Sequence, residues 1–368
     1  MPQSIDVAAF VWPSYTGDEP RSRMFWPEGI GEWQSVKNFN ATSDYWHRTP
    51  LWGYVNEADP YVMQMEIDAA ADHGINVFIY DWYWFDNRPF LEQCLDNGFL
   101  KAKNNSRLSF YLMWANHDAN NVWNINLSDD YGSTVVWGGA INRMQFEIIC
   151  HRVIEKYFSQ PNYYKIDGKP VFMIYELGNL IEGLGGAEAA RQALDWFRAE
   201  TVKAGFPGLH LQATAWRKNG TNLSGVDAQG GLSRAQFDAL AFDSITHYQF
   251  VHFTNMNRPY REILTDVQAE WKKIDTNYPM PYFPHVSIGW DNNPRFRRFR
   301  DYRCRENPPD EFEKALRMAK EYVLAHPNQA PLVTLNSWNE WTETSYLEPD
   351  SLHGYGYLEA VKRVFGTP

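Results

Sequence analysis

Glu340 and Glu343 lie three residues apart in the tract Asn336-Ser-Trp-Asn-Glu-Trp-Thr-Glu-Thr-Ser-Tyr-Leu-Glu-Pro-Asp350, flanked by Trp338, Trp341 and Tyr346. Two carboxyls among aromatic rings suit acid/base chemistry on a sugar. One must carry a proton while the other is ionised, and the rings stack on the apolar faces of pyranoses. The plainer alternative puts both acids on the opening turn of a short surface helix, where the dipole favours negative charge. The flanking tryptophans argue for a cleft instead. Glu348 and Asp350 then read as residues that fix the loop, with one of them placed to reach substrate as the alternative.

Acids of this kind need a rigid support, and the chain supplies an alternating one. Period and composition predict strands over residues 5–12, 76–82, 107–114, 170–175, 209–214, 244–248, 282–288 and 331–338. Helices are predicted over 61–73, 89–97, 142–159, 187–204, 260–276, 309–325 and 357–365. A long loop rich in Trp, Pro and Gly separates the first strand from Pro60. No linker or low-complexity segment divides the chain, so the expectation is one (β/α)8 barrel with enlarged loops spanning residues 1–368. An open doubly wound sheet is the alternative, but no Gly-rich phosphate loop follows the first strand.

Barrels of this type work at the C-terminal ends of their strands. Here those ends share one chemical character: Trp12 and Tyr15; Asp81-Trp-Tyr-Trp84; Trp114-Ala-Asn116 with His117-Asp118; Tyr175-Glu176; Trp216; His247-Tyr248; Trp290-Asp291; and Trp338-Asn-Glu340. Candidate stacking platforms are Trp84, Trp114, Trp290, Trp338 and Tyr346. Candidate hydroxyl contacts are Asp81, Asn116 and Asn339, with Trp12, Glu176, His247 and Tyr248 as further substrate-binding residues of the cleft. Each has a plainer role: Asp81 as a strand-end cap, Trp84 and Trp290 as lids on the core, His247 as a hydrogen-bonded structural histidine. His117 and Asp118 are adjacent, point in different directions and lack a third ligand, so no metal site and no cofactor is expected. Gly-x-Ser-x-Gly, Walker and HExxH patterns are absent, which leaves serine-hydrolase, nucleotide-driven and zincin chemistry without residues.

The bulk numbers narrow the partners. The net charge is −11 and the pI about 5.4, so nucleic acid and anionic membrane are poor partners, both requiring a basic surface. The chain carries 16 Trp, 21 Tyr and 22 Phe, yet its mean hydropathy is −0.52, so many rings sit among polar residues. The basic run Arg295-Phe-Arg-Arg-Phe-Arg300 reads as a solvated or ion-paired surface loop; its sharper reading is contact with an acidic sugar or phosphate. Cys94, Cys150 and Cys304 are widely spaced and read as buried free thiols. No apolar run approaches roughly 18 residues, so no membrane insertion is expected. No basic segment followed by a long apolar stretch opens the chain. That fits a cytoplasmic protein if Met1 is the native start, and a periplasmic or secreted one if a leader was removed. Oligomeric state leaves no trace in the composition.

The tract Trp338-Asn-Glu-Trp-Thr-Glu-Thr-Ser-Tyr-Leu-Glu-Pro-Asp350 resembles that of the WbsX-like proteins, relatives of glycoside hydrolase family 99, the endo-α-mannosidases and endo-α-mannanases. Supporting matches are His73-Gly-Ile-Asn-Val-Phe-Ile-Tyr-Asp-Trp-Tyr-Trp84, Leu112-Met-Trp-Ala-Asn116 and Tyr163-Tyr-Lys-Ile-Asp-Gly-Lys-Pro170. The resemblance implies a (β/α)8 barrel and a retaining hydrolysis of an α-linked glycan. It also implies that Glu340 acts as base on the sugar 2-hydroxyl, a 1,2-anhydro sugar forms, and Glu343 serves as acid and then base. Family 99 has His-Glu-Gly where this chain has Thr342-Glu343-Thr344, which bears on the neighbouring subsite more than on the acids. The same group carries a glycosyltransferase label, so a transferase on this scaffold and a non-catalytic glycan-binding barrel stand as rivals. The substrate expected is an oligo- or polysaccharide.

Overall fold

Eight parallel strands carry the architecture of the computed structural model, which describes residues 4–17, 19–130, 134–215 and 234–366. They are β1 (Asp6–Val11), β2 (Val77–Phe85), β3 (Ser109–Trp114), β4 (Lys169–Ile174), β5 (His210–Ala215), β6 (Ser244–His247), β7 (His285–Ser287) and β8 (Leu332–Asn336). Hydrogen bonding links them in the order β6-β5-β4-β3-β2-β1-β8-β7. Ile245 of β6 bridges Tyr282, just ahead of β7, and nearly closes the ring. The result is the expected (β/α)8 barrel. All nine residues of β2 are buried, as they must be in a strand covered on both faces.

Helices clothe the outside: α1 (Trp33–Thr42), α2 (Pro60–Asp72), α3 (Arg143–Val153), α4 (Leu177–Leu184), α5 (Ala187–Lys203), α6 (Arg234–Leu240), α7 (Tyr260–Asn277), α8 (Pro309–Ala325) and α9 (Gly356–Phe365). Local chemistry sets their ends. In α2, Pro60 opens the helix, the Asp59 side chain accepts the Tyr61 N–H at 2.8 Å, and Gly74 follows at φ +89°. In α8 the buried residues Phe312, Ala315, Leu316, Ala319 and Val323 follow the helical period and face the barrel. No helix among the described residues is long and apolar enough to cross a membrane.

One predicted helix is absent. Residues 89–97 do not form one, because β2 runs past residue 82 and turns back through Asp86 and Asn87, both at positive φ. Arg88–Phe90 then pairs antiparallel with the end of β2, and only a short π-helical turn, Cys94–Gly98, follows. Asp and Asn tolerate the left-handed region that such a hairpin needs. Cys94 and Cys150 are buried free thiols; Cys304 is only half-buried.

The barrel interior is polar on one side. Thr246 of β6 and Thr334 of β8 meet across β7 at 2.8 Å. His285 bridges Thr334 (3.0 Å) and Ser287 (2.9 Å), and Tyr111 of β3 reaches Gln212 of β5 at 3.0 Å. Burial holds His285 well below the usual histidine range, so it is neutral and both of its ring nitrogens are engaged. Thr334→Val keeps the volume but removes the hydroxyl shared by His285 and Thr246. It should lower unfolding free energy by about 1–3 kcal/mol in urea titrations, with no change in far-UV dichroism.

Candidate active site

The strand ends converge on a cavity of about 490 Å³. Its wall includes Trp12, Asp81, Glu176, Tyr248, Trp290, Glu340 and Glu343 among the sequence-predicted residues. At its floor lies Arg295, buried, with its guanidinium shared among three carboxylates. Nε and Nη2 donate to Glu32 at 2.8 and 3.2 Å, Nη2 to Glu340 at 2.6 Å, and Nη1 to Glu343 at 2.6 Å. Trp12 fixes Glu32 from the far side, its indole N–H donating at 2.5 Å. The basic run beginning at Arg295 is therefore not wholly a solvated loop. The short 3-10 turn Asn293–Arg295 after β7 folds its last residue inward, while Arg297 and Arg298 stay outside.

Tyr248, following β6, donates to Asp81 at 2.8 Å and to Glu340 at 3.2 Å. One Asp81 oxygen, buried, has no hydrogen-bond partner among the described residues. Burial drives Asp81 well above the ordinary carboxylate range, outweighing the Tyr248 bond. Burial likewise raises Glu340, strengthened by the charge of Glu343 and opposed by Arg295. Glu343 is raised by burial against the pull of Arg295. Burial works against the charge of Arg295 itself, but Glu32, Glu343 and Glu340 outweigh it. Burial outweighs the single cation for Glu340, Glu343 and Asp81, so these three carboxyls retain protons at pH values where free ones have lost them. Of the pair, Glu343 is the more accessible, its side chain 13% exposed against 3% for Glu340. This arrangement suits one group that gives a proton and one that takes it.

The tract bearing the pair is held from behind. After β8 the peptide Asn336–Ser337 is cis, and Ser337 Oγ accepts the Glu340 N–H at 2.7 Å. Asn339 clamps the Trp12 backbone through both its N–H (2.7 Å) and its C=O (2.9 Å), and donates to Glu57 at 3.0 Å. Trp338 donates to Glu66 at 3.0 Å, and Trp341 donates to Glu348. Glu57, Glu66 and Glu348 offer oxygens within 4.8 Å of one another, close enough to surround a cation. Burial holds all three above the usual range, Glu66 up to about 8, and the indole and amide donors already bind one face of each.

The remaining predicted residues lie outside the cavity, and strand alternation explains most of them. Asp81 and Tyr83 face inward, so Trp84 faces out and donates to Gln145 of α3 at 3.1 Å. Met113 and Ala115 face inward, so Trp114 packs on Phe146 of α3. Trp338 packs on Phe78 and Trp52, outside the barrel. Tyr346 stacks on Trp341 at 3.7 Å and donates to Asp350. His247 contacts the Tyr282 hydroxyl at 2.7 Å. Asn116 brackets the backbone of Glu176, and Glu176 caps α4 through the Gly178 N–H at 2.8 Å. Trp216 lies outside the described residues. Composition alone did not single out Glu32, Tyr83, Trp123, His252 or Arg295. Glu32 sits in a loop with no periodic pattern, and Arg295 is masked by the arginines beside it. The one available signal was the position of Arg295 five residues past the end of a strand turn at Trp290.

Residues 7–361 match the family described as Glycosyltransferase WbsX. The uncharacterized protein WxcX of Xanthomonas campestris pv. campestris strain B100 is 24% identical over 380 residues, covering 97% of this chain and 49% of its own length. The chain thus spans about half of the curated relatives it matches. Among solved structures, a glycoside hydrolase-like protein superposes with TM-score 0.61 at 16% identity, covering 100% of this chain and 95% of that one. The family 99 endo-alpha-mannosidase of Bacteroides thetaiotaomicron superposes with TM-score 0.60 at 12% identity, covering 97% and 95%. At such identities the likeness establishes the fold.

Two tests follow from this geometry. Arg295→Gln removes the cation that lowers Glu340 and Glu343, so their carboxyls should rise further. The acid limb of the pH–rate profile should move to higher pH, and stability should fall by about 3–5 kcal/mol; an unmoved limb contradicts the electrostatic role. Glu66 is raised in the folded state to about 8 from an ordinary 4.5, so the folded chain binds the extra proton and stability declines as pH rises between those values. Glu66→Gln keeps the acceptor for Trp338 and should melt above the parent at pH 8 but not at pH 5. A cation in the cluster would instead make the variant weaker at both pH values and the parent sensitive to chelators.

Proposed function

The chain belongs to the WbsX family, and from that premise we propose that it is a metal-independent glycoside hydrolase acting on an α-linked glycan, its 368 residues forming one catalytic unit. The carrying observation is the single guanidinium bound by both Glu340 and Glu343 at the aromatic mouth of the barrel. Glu340, deep and bonded to Tyr248, removes the proton from the sugar 2-hydroxyl. That oxygen closes on the anomeric carbon as the glycosidic C–O bond breaks, and Glu343 protonates the leaving oxygen. Water then opens the 1,2-anhydro ring: Glu343 takes a proton from the water, and Glu340 returns one to the 2-oxygen. Arg295 fixes both carboxyls in place and limits how far their proton affinities rise. Trp12 and Trp290 offer ring faces to the sugar, and the unpartnered Asp81 oxygen offers an acceptor for a hydroxyl.

A sugar-nucleotide transferase would need to seat a diphosphate. In the catalytic cavity, Asp81, Asp118, Glu176, Glu340 and Glu343 stand against Arg295, each of whose three nitrogens already donates to a glutamate. Such a wall repels phosphate. The decisive experiment incubates the protein with α-mannans and bacterial polysaccharides, separates the products, and repeats it with Glu340→Gln and Glu343→Gln. Each substitution should cut turnover on the order of a thousandfold or more with unchanged melting. Full turnover in either variant, or sugar transfer from a nucleotide donor with no hydrolysis, refutes the reading.

A further inference from the structure

A second cavity of about 480 Å³ adjoins the first, and Trp290 lines both. Its wall is continuous with the catalytic acid. The Glu343 carbonyl accepts the Asp291 N–H at 2.8 Å, and the Thr344 hydroxyl donates to the Asp291 carbonyl at 2.9 Å. The Trp46 indole N–H meets that hydroxyl at 3.0 Å. Thr344 stands at φ +55°, a strained position for a β-branched residue, and its two side-chain bonds offset the strain by pinning this wall. The residue that departs from the family 99 pattern is therefore a structural member of the second cavity.

The chemistry of this cavity is opposite in sign to its neighbour. Arg48, Arg303 and Arg305 line it, and none forms an ion pair with a carboxylate among the described residues. Elsewhere the arginines that pair include Arg107, Arg152, Arg191, Arg258 and Arg317. Arg48 reaches the Tyr346 hydroxyl at 3.4 Å, Arg303 lies over the Tyr45 ring at 4.5 Å, and Arg305 binds Asn257 at 3.0 Å. Three carboxylates lie in or beside this wall, and each is bound elsewhere: Glu306 pairs with Arg261 at 3.4 Å. Asp350 accepts from Tyr346, Leu352 and His353, and Asp291 from Asn293 and Tyr45. A chain of net charge −11 thus gathers three cations without carboxylate partners in one hollow beside an indole face. Planar guanidinium forks match carboxylate, sulfate and phosphate, and an indole beside them stacks a pyranose.

Resting on the hydrolase reading above, we infer that this cavity is a subsite for an acidic sugar, and that the substrate is an anionic polysaccharide carrying a uronate or similarly charged residue next to the cleaved bond. Neutral mannans would leave the arginines unanswered. Oligosaccharides from a uronic-acid polymer and their carboxyl-reduced counterparts provide the test, with binding measured by calorimetry on the parent, Arg303→Gln and Arg48→Gln. Glucose, glucuronate, glucose 6-sulfate, glucose 6-phosphate and a nucleoside diphosphate serve as small probes. The acidic oligosaccharides should bind about tenfold or more tightly than the reduced ones, and the difference should shrink in both variants while melting stays constant. A gain confined to the sulfated or phosphorylated sugar supports the subsite with that group as its charge. Equal affinity for every charged probe and its neutral counterpart, or a preference untouched by both substitutions, overturns it. So does tightest binding by the nucleoside diphosphate lost in the same variants. Arginine-dependent binding without cleavage keeps the subsite and sinks hydrolysis; cleavage of neutral polymers indifferent to Arg303→Gln does the reverse.

Discussion

One buried guanidinium shared by three glutamates organises the active end of this barrel. Arg295 draws Glu32 from the first long loop, Glu340 and Glu343 from the turn after β8, and its own 3-10 turn from beyond β7 into one contact. Burying that many charges is costly, and the cost is tolerable only because each acid meets a donor in good geometry. The imbalance of one cation against Glu340, Glu343 and Asp81 also sets their protonation. It forces proton sharing at a pH where isolated carboxyls would all be ionised.

Behind the pair, a second layer converts the tract after β8 into a rigid object. Asn339 locks onto the Trp12 backbone, and Trp338 and Trp341 point their indole N–H groups away from the cavity into Glu66 and Glu348. Several aromatic residues of the tract therefore hold the backbone rather than the sugar. Their rings fill the space between barrel and helices, and their single polar atoms reach buried acids that would otherwise lack partners. Sites built this way hold geometry well because each functional side chain departs from a backbone fixed on both sides.

Two hollows of opposite charge share the face of Trp290. The acidic one contains Glu340 and Glu343; the basic one begins at the residue immediately after Glu343. A chain of sugars crossing that indole would pass from a field that favours protons to one that favours anions. The hydroxyl of Thr344, held between Trp46 and Asp291, keeps the two walls in register.

Strand periodicity, helix caps and the alternation of elements determined the barrel, because period two and period 3.6 are local properties that tertiary context overturned only over residues 89–97. The pair Glu340 and Glu343 was legible for a similar reason: acids three residues apart among tryptophans after a buried strand are visible within one short window. Which aromatic residues face the cavity was not legible. Trp84 and Trp114 looked like stacking platforms by type, yet the pleat turns them toward α3 and gives the inward positions to Tyr83 and Met113. The hairpin at Asp86 and Asn87 hid in an apparent helix because its turn is set by backbone sign, which side-chain patterns report weakly. Glu32 and Arg295 are 263 residues apart, and Glu32 carries no local signal. By itself, then, the sequence determined the scaffold and the two acids. Only the tertiary structure decided which cation binds them, which rings meet a ligand, and where positive charge is left over, since a charge takes its role from neighbours in space and not along the chain.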